Sequence, residues 1–289
     1  MPAVLALVAV TAVWGLTFVQ VKDAVELYPL FAFLAVRFAI ATLVLAPPAR
    51  RRLRTLTRGG WVAGAGLGLL LALGYALQTA GLERTTVSNA GFITGLYVVF
   101  TPLAAVVLFR VRIGAIVWAG VALSTAGLAL LSGVGGGDPL GDGLVLAGSA
   151  AYSLQIALME RYAPRYDPVA FTFVEMLTAF AGFAVIAVAV GQIELPRGWT
   201  VWGALLVTGI FASALGFLVQ TWAQRRTSAT RTALAFAMEP AWAALFGFWL
   251  AGDRLGPVAW VGAALIMAGI LVAEPAAART LRRLVPVRG

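Results

Sequence analysis

The sequence predicts an all-α, polytopic membrane protein, with ten transmembrane helices arranged as two inverted five-helix repeats around a central cavity. Three observations carry that expectation. Of 289 residues, 61% are hydrophobic and only 11% are charged, against about 25% charged in soluble domains. The apolar residues fall in ten runs, each close to the roughly 20 residues a helix needs to cross a hydrocarbon core. Finally, a frame of Leu, Gly and an aromatic residue followed by Gln-Thr occurs twice, as "LGYALQTAGL" at 73–82 and "LGFLVQTWAQ" at 215–224.

The runs lie near residues 3–21, 28–46, 60–80, 86–109, 113–132, 142–160, 168–190, 199–222, 229–250 and 256–273. The first, "MPAVLALVAVTAVWGLTF", lacks the basic n-region of a signal peptide and stays apolar as far as Gln20, so it reads as a span. The second follows Pro29 and carries Arg37. The third closes on Gln78-Thr79. The fourth holds Asn89, Thr94, Tyr97, Thr101 and Pro102, and the fifth is almost wholly apolar. In the second half, the sixth run carries Tyr152 and Gln155, and the seventh follows Pro168 and carries Glu175. The eighth closes on Gln220-Thr221, the ninth contains Glu239-Pro240, and the tenth is apolar. All connections are too short for a soluble domain. The expected division is a first repeat over 1–135, a second over 136–276 and a basic tail over 277–289.

Basic residues alternate along this scheme. Arg50, Arg51, Arg52, Arg54, Arg58, Arg110, Arg112, Arg161, Arg165, Arg225, Arg226, Arg231 and the four arginines of the tail fall on one side; Lys22, Arg84, Arg197 and Arg254 fall on the other. By the positive-inside bias, both termini lie in the cytoplasm and the protein is a multi-pass protein of the inner (plasma) membrane. The net charge of +9 is thus spent on loops facing lipid headgroups, not on nucleic acid.

Gln78 and Gln220 are 142 positions apart and end the third and eighth spans. The pairs Pro102/Pro240 and Pro29/Pro168 follow the same five-helix shift. An odd number of helices inverts the second copy relative to the first. Inverted repeats related by an axis in the membrane plane mark transporters, with the site at the midplane between the halves.

Polar side chains inside lipid need partners or a wet cavity. Tyr75 and Gln78 share one face of the third helix, and Phe217 and Gln220 repeat the spacing on the eighth. With Trp14, Gln20, Asn89, Thr94, Tyr97, Tyr152 and Gln155 they describe a polar lumen walled by aromatic rings. Hydrogen-bonding glue between helices is the plainer alternative for any one of them. Arg37, Glu175 and Glu239 are intramembrane charges, each costing about 2.5–3.5 kcal/mol if unpaired. Arg37 and Glu175 have nearly equal depths, so an ion pair between them is expected. Glu239 adjoins Pro240, whose ring frees the carbonyl of Phe236. Pro102 and Pro240 are expected to kink the fourth and ninth helices and to serve a gate. The glycines of "GAGLG" (64–68) and "GFITG" (91–95) read as close helix packing.

Without histidine or cysteine, no thiolate or imidazole metal site, Ser-His centre or disulfide can form. Any proton-coupled step rests on a carboxylate. No Gly-rich loop followed by Lys exists to bind a nucleotide. "GGGD" at 135–138 and "YD" at 166–167 match the dipeptides of intramembrane aspartyl proteases, but both fall in loops. No metal or other cofactor is expected, and no enzymatic activity.

The stretches "AVWGLTFVQVK", "PLFAFLAVRFAIATLVL", "LGYALQTAGLERTTVSNAGFITGLYVVFTPL" and "AMEPAWAALFGFWLAGDRL" resemble the EamA-type members of the drug/metabolite transporter superfamily. The likeness covers essentially the whole chain, and the Trp-Gly of the first span and the Glu-Pro of the ninth are its more specific parts. The resemblance implies a ten-helix inverted repeat, a cavity framed mostly by the first, third, fourth, sixth, eighth and ninth helices, and export of small metabolites, with amino acids the best-known cargo. Carried over by position, Trp14, Tyr75, Gln78, Asn89, Tyr97, Gln155, Gln220 and Glu239 become substrate-binding candidates. Two positions depart from internal symmetry: Ala151-Tyr152 stands where the first copy has Trp14-Gly15, and the fourth span lacks a Glu before its proline. The expected partners are a small-molecule substrate, lipid, and protons where transport is coupled. Uptake, or efflux of drug-like cations, is the alternative. Phosphorylated cargo is disfavoured, because Arg37 is the single cation within a span.

Overall fold

The computed structural model describes residues 2–82, 84–85, 87–132, 138–246, 249 and 256–273. Every regular element among them is helical: α1 (Pro2–Leu27), α2 (Leu30–Arg52), α3 (Arg58–Leu82), α4 (Val87–Gly95), α5 (Tyr97–Phe109), α6 (Ala115–Ser132), α7 (Pro139–Tyr162), α8 (Pro168–Ala189), α9 (Trp199–Val207), α10 (Gly216–Gln224), α11 (Ala229–Phe236), α12 (Glu239–Phe246) and α13 (Pro257–Ala273). Among the described residues, six continuous helical stretches are long and apolar enough to cross a bilayer, and three shorter apolar ones accompany them. The protein is a polytopic helical membrane protein.

Local chemistry sets the helix starts. Asp138 and Asp167 cap α7 and α8, each just before a proline in the first turn, and Ser228 caps α11. The left-handed backbone of Gly198 (φ 78°) leads into α9, and that of Arg110 (φ 54°) ends α5. Asp138 and Asp167, the acids of the two protease-like dipeptides, are therefore helix caps. They flank α7, whose 24 residues separate them by about 36 Å.

Three irregularities lie inside the expected spans. The fourth departs from the helix at Leu96, between α4 and α5, while Pro102 lies within α5. The ninth is interrupted at Ala237–Met238, immediately before α12 and Pro240. A proline cannot donate to the carbonyl four residues back and crowds it, so the distortion appears upstream of each ring rather than at it. The eighth span carries an irregularity with no proline at all: residues 208–215, between α9 and α10, form a π-helix.

Packing relies on glycine. Helices α6 and α13 cross antiparallel through two reciprocal contacts. A Cβ on Gly120 would stand 2.6 Å from the carbonyl oxygen of Gly269, and one on Gly127 would stand 2.5 Å from that of Gly262. Backbones approach this closely only where side chains are absent, as in other tightly packed membrane helices. Gly74 and Gly148 bring α3 against α7, and Gly68 brings α3 against α8.

Polar contacts identify the two ends of the bundle. At one, Arg52 pairs with Asp167 at 2.9 Å, Glu160 accepts the Ala229 N–H at 2.7 Å, and Arg161 lies 5.5 Å from the centre of the Phe109 ring. This basic end gathers the chain around residues 50–58, 109–112, 160–167 and 225–231. At the other, Tyr28 donates to the Glu194 carbonyl, Gln192 accepts the Phe31 N–H, and Thr85 donates to Asp142.

Candidate functional site

Polar and aromatic side chains from seven of the expected spans meet in the middle of the bundle. Tyr75 of α3 is the hub: its ring meets Tyr152 of α7 edge-on at 5.5 Å and Phe38 of α2 at 5.5 Å, and the Arg37 guanidinium lies 5.3 Å from its centroid. Tyr152 donates from its hydroxyl to Gln78 Oε1 (3.0 Å), and Gln78 Nε2 donates to Thr94 Oγ1 (2.9 Å). Ser149, one turn before Tyr152, donates to the Thr94 carbonyl at 2.9 Å.

Arg37 donates through Nε to Ser213 Oγ at 2.8 Å and through Nη2 to the Tyr75 hydroxyl at 3.4 Å. Among the described residues, most of its five donors remain uncommitted. On the facing wall, Trp14 packs against Phe236 (4.8 Å between centroids) and Phe217 (5.7 Å), and its Nε1 donates to the Ala212 carbonyl at 2.8 Å. The π-helix accounts for both of these anchors, since it turns Ala212 and Ser213 toward the centre. Such π segments recur at functional sites. Tyr97 adds an edge-on contact with Phe236 at 6.4 Å. Glu239, at the break between α11 and α12, lies within electrostatic range of Arg37, Tyr75, Tyr97 and Tyr152. Its carboxylate has no hydrogen-bond partner among the described residues. Trp14, Tyr75, Gln78, Thr94, Tyr152 and Glu239 are all partly accessible although each lies within an apolar run.

A second polar system lies one turn nearer the basic end and is closed to solvent. Gln155 Nε2 donates to Glu175 Oε1 at 2.6 Å, and Gln220 Nε2 donates to Gln155 Oε1 (3.1 Å) and Gln224 Oε1 (2.9 Å). Gln224 Nε2 donates to the Ile156 carbonyl (2.8 Å). Thr172 and Thr221 hydrogen-bond beside this ladder at 2.8 Å. None of the four ladder side chains is more than 2% exposed. Glu175 Oε2 and Gln220 Oε1 are buried without partners.

Of the residues singled out from sequence, Trp14, Tyr75, Gln78, Tyr97 and Glu239 thus surround one centre. Gln155 and Gln220 belong to the buried ladder instead, and the Asn89 side chain lies outside the described residues. The expected ion pair between Arg37 and Glu175 does not form. Arg37 turns to Ser213 and Tyr75, whereas Glu175 turns to Gln155, so each charge is solvated by neutral polar groups of its own layer. Ser213 and Gln224 were not anticipated; Gln224 is four residues after Gln220, and that helical spacing was its available signal. Among the described residues no three acidic side chains converge to hold a metal.

The comparisons with known proteins agree with this architecture. The model of the EamA-like transporter family matches residues 1–133 and 139–273. An uncharacterized transporter of Archaeoglobus fulgidus is 33% identical over 273 residues, covering 93% of this chain and 84% of that protein. The uncharacterized inner membrane transporter YedA of Escherichia coli K12 is 26% identical, covering 92% and 89%. A chloroplastic WAT1-related protein of Arabidopsis thaliana is 28% identical over 89% of this chain and 66% of its own length. A solved crystal structure superposes with a TM-score of 0.82 at 21% identity, covering 96% of this chain and 98% of that one, and shows the same fold. The chain belongs to the EamA-like transporter family of the drug/metabolite transporter superfamily, a family of transporters and not of enzymes.

Proposed function

We propose that the protein exports small metabolites, amino acids foremost, by alternating access between two inverted five-helix halves. One observation carries the reading: opposite charges, Arg37 and Glu239, face a single aromatic-walled polar centre. A zwitterion matches that pair. Its carboxylate takes the uncommitted guanidinium donors of Arg37. Its ammonium takes the unpartnered Glu239 carboxylate and the faces of Trp14 and Tyr75. Gln78 holds the polar edge, and Phe217 and Phe236 accept an apolar side chain.

The halves are supported by reciprocity. An offset of 142 residues carries Gly120 to Gly262 and Gly127 to Gly269, so exchanging the halves maps one of the two glycine contacts between α6 and α13 onto the other. The same offset carries Tyr75 to Phe217 and Gly74 to Gly216. Tyr75 meets Tyr152 of α7, and Phe217 meets Trp14 of α1. A Cβ on Gly74 would strike the Tyr152 ring, and one on Gly216 would crowd the Trp14 indole. The two blocks matched by the family model part where the repeats are expected to divide. On this reading the interrupted segment of α11 and α12 completes ten spans, the buried ladder is the closed gate toward the basic end, and that end, with both termini, faces the cytoplasm.

The aromatic rings around Glu239 would equally suit an organic cation, which is the second reading. Counterflow in proteoliposomes separates them. Zwitterionic amino acids are expected to exchange and a quaternary ammonium compound is not, and Arg37→Gln is expected to abolish the exchange. Cation exchange that survives Arg37→Gln would establish the second reading and overturn the first.

A further inference from the structure

A recess of about 670 Å³ opens on the outer surface between α3 and α7, away from the central site. Arg58, Arg165, Tyr162 and Tyr166 surround its mouth at the basic end, and Leu67, Leu70 and Leu158 line its floor toward mid-bundle. We propose that this recess is a binding site for one anionic diacyl phospholipid, its phosphate between Arg58 and Arg165 and an acyl chain along the α3–α7 groove.

Three features select that occupant. Neither Arg58 nor Arg165 pairs with a carboxylate among the described residues, although the neighbouring Arg52 does so with Asp167, so two arginines line one recess without a carboxylate partner there. The Arg165 guanidinium lies 5.9 Å from the centre of the Tyr162 ring, which fixes it at the mouth. Length fits as well. The groove runs from Arg58 to Leu70 along α3, about 18 Å of helix, and one leaflet of hydrocarbon is about 15 Å deep. A charged end at the interface and an apolar end near the midplane is the profile of a lipid, not of a free anion. Gly66 forms the exposed wall of the groove, where an added Cβ would meet nothing within 4 Å. The missing side chain leaves the channel open.

Native mass spectrometry of the purified full chain, after exchange into phosphatidylglycerol or phosphatidylcholine, tests the site. The protein should retain one phosphatidylglycerol in preference to phosphatidylcholine. Arg58→Ala with Arg165→Ala should lower that retention about thirtyfold. Gly66→Leu, which fills the groove without touching a charge, should also displace the lipid while the protein stays folded and monodisperse. Equal retention of the two lipids, full retention by the double variant, or displacement of the lipid by inorganic phosphate as readily as by phosphatidylglycerol would each overturn the proposal.

Discussion

Gly74 offers the sharpest test of how the central site is assembled. A methyl group there would stand 2.5 Å from Cε1 and 2.7 Å from Cδ1 of Tyr152, roughly 1 Å inside the optimal carbon–carbon separation of about 3.5–4.0 Å. The close approach of Gly148 to the Gly74 carbonyl holds α3 against α7. The tyrosine ring must yield, and in yielding it strains the bond to Gln78 at 3.0 Å and the edge contact with Tyr75 at 5.5 Å. Overpacking of this kind costs about 1–3 kcal/mol, and loss of one hydrogen bond adds about 1 kcal/mol. Gly74→Ala should therefore destabilise by about 2–4 kcal/mol. Thermal unfolding of the purified protein in detergent reads the loss as a fall in Tm of several degrees. The control is a double-mutant cycle. In a Tyr152→Ala background the clash is gone, so the added methyl should cost nothing and, by helix propensity alone, gain up to about 1 kcal/mol. Equal damage from Gly74→Ala in both backgrounds would show that the methyl does not meet Tyr152, and the packing described for this centre would be wrong.

Other perturbations read other parts of the structure. Glu175→Gln keeps an acceptor for Gln155 and should leave stability nearly unchanged, whereas Glu175→Leu orphans the Gln155 amide and should cost about 1–3 kcal/mol; equal Tm values would argue against the ladder. Gly127→Leu drives a side chain into the Gly262 carbonyl, whose backbone cannot give way, so the variant should fail to yield monodisperse protein on size exclusion. Trp14→Phe removes the donor to the Ala212 carbonyl while keeping an aromatic wall, and a loss of about 1 kcal/mol is expected in thermal unfolding. Glu239→Gln should abolish amino-acid counterflow without lowering membrane yield; wild-type flux in that variant would remove Glu239 from the site.

The membrane class, the helical character of the apolar runs and several side chains of the centre were legible in the sequence because lipid makes polarity expensive. A Tyr75–Gln78 pair inside an apolar run demands an explanation, and helical spacing supplies its direction. Two kinds of information were hidden. The first is whether a polar side chain is already satisfied locally. Thr11, Thr17, Thr42, Thr125, Thr178 and Thr208 donate to carbonyls three or four residues back, which spacing cannot distinguish from facing a cavity. The second is partner choice across helices. Arg37 and Glu175 have matching depths, yet Ser213 intercepts the arginine and Gln155 the glutamate. Ser213 reaches Arg37 because of a π-helix without proline, and nothing in "TGIFASAL" announces that geometry.

If the protein works by alternating access as proposed, the separation of the two polar layers has a physical rationale. A substrate site must exchange partners with its ligand, so its groups are best left partly satisfied and partly accessible, as with Arg37's spare donors and the bare carboxylate of Glu239. A gate must close without water and open without prohibitive cost, which favours neutral amides. The Gln155–Gln220–Gln224 chain meets both conditions: each amide link contributes only about 0.5–1.5 kcal/mol net, and the groups remain hydrogen-bonded when water replaces the partner. A direct Arg37–Glu175 ion pair at that depth would have been much harder to open, because breaking it strands two charges at about 3–5 kcal/mol. On the proposed reading the absence of that pair suits a moving bundle, and the amide chain beside Glu175 would let the closed layer part at a cost that substrate binding can offset.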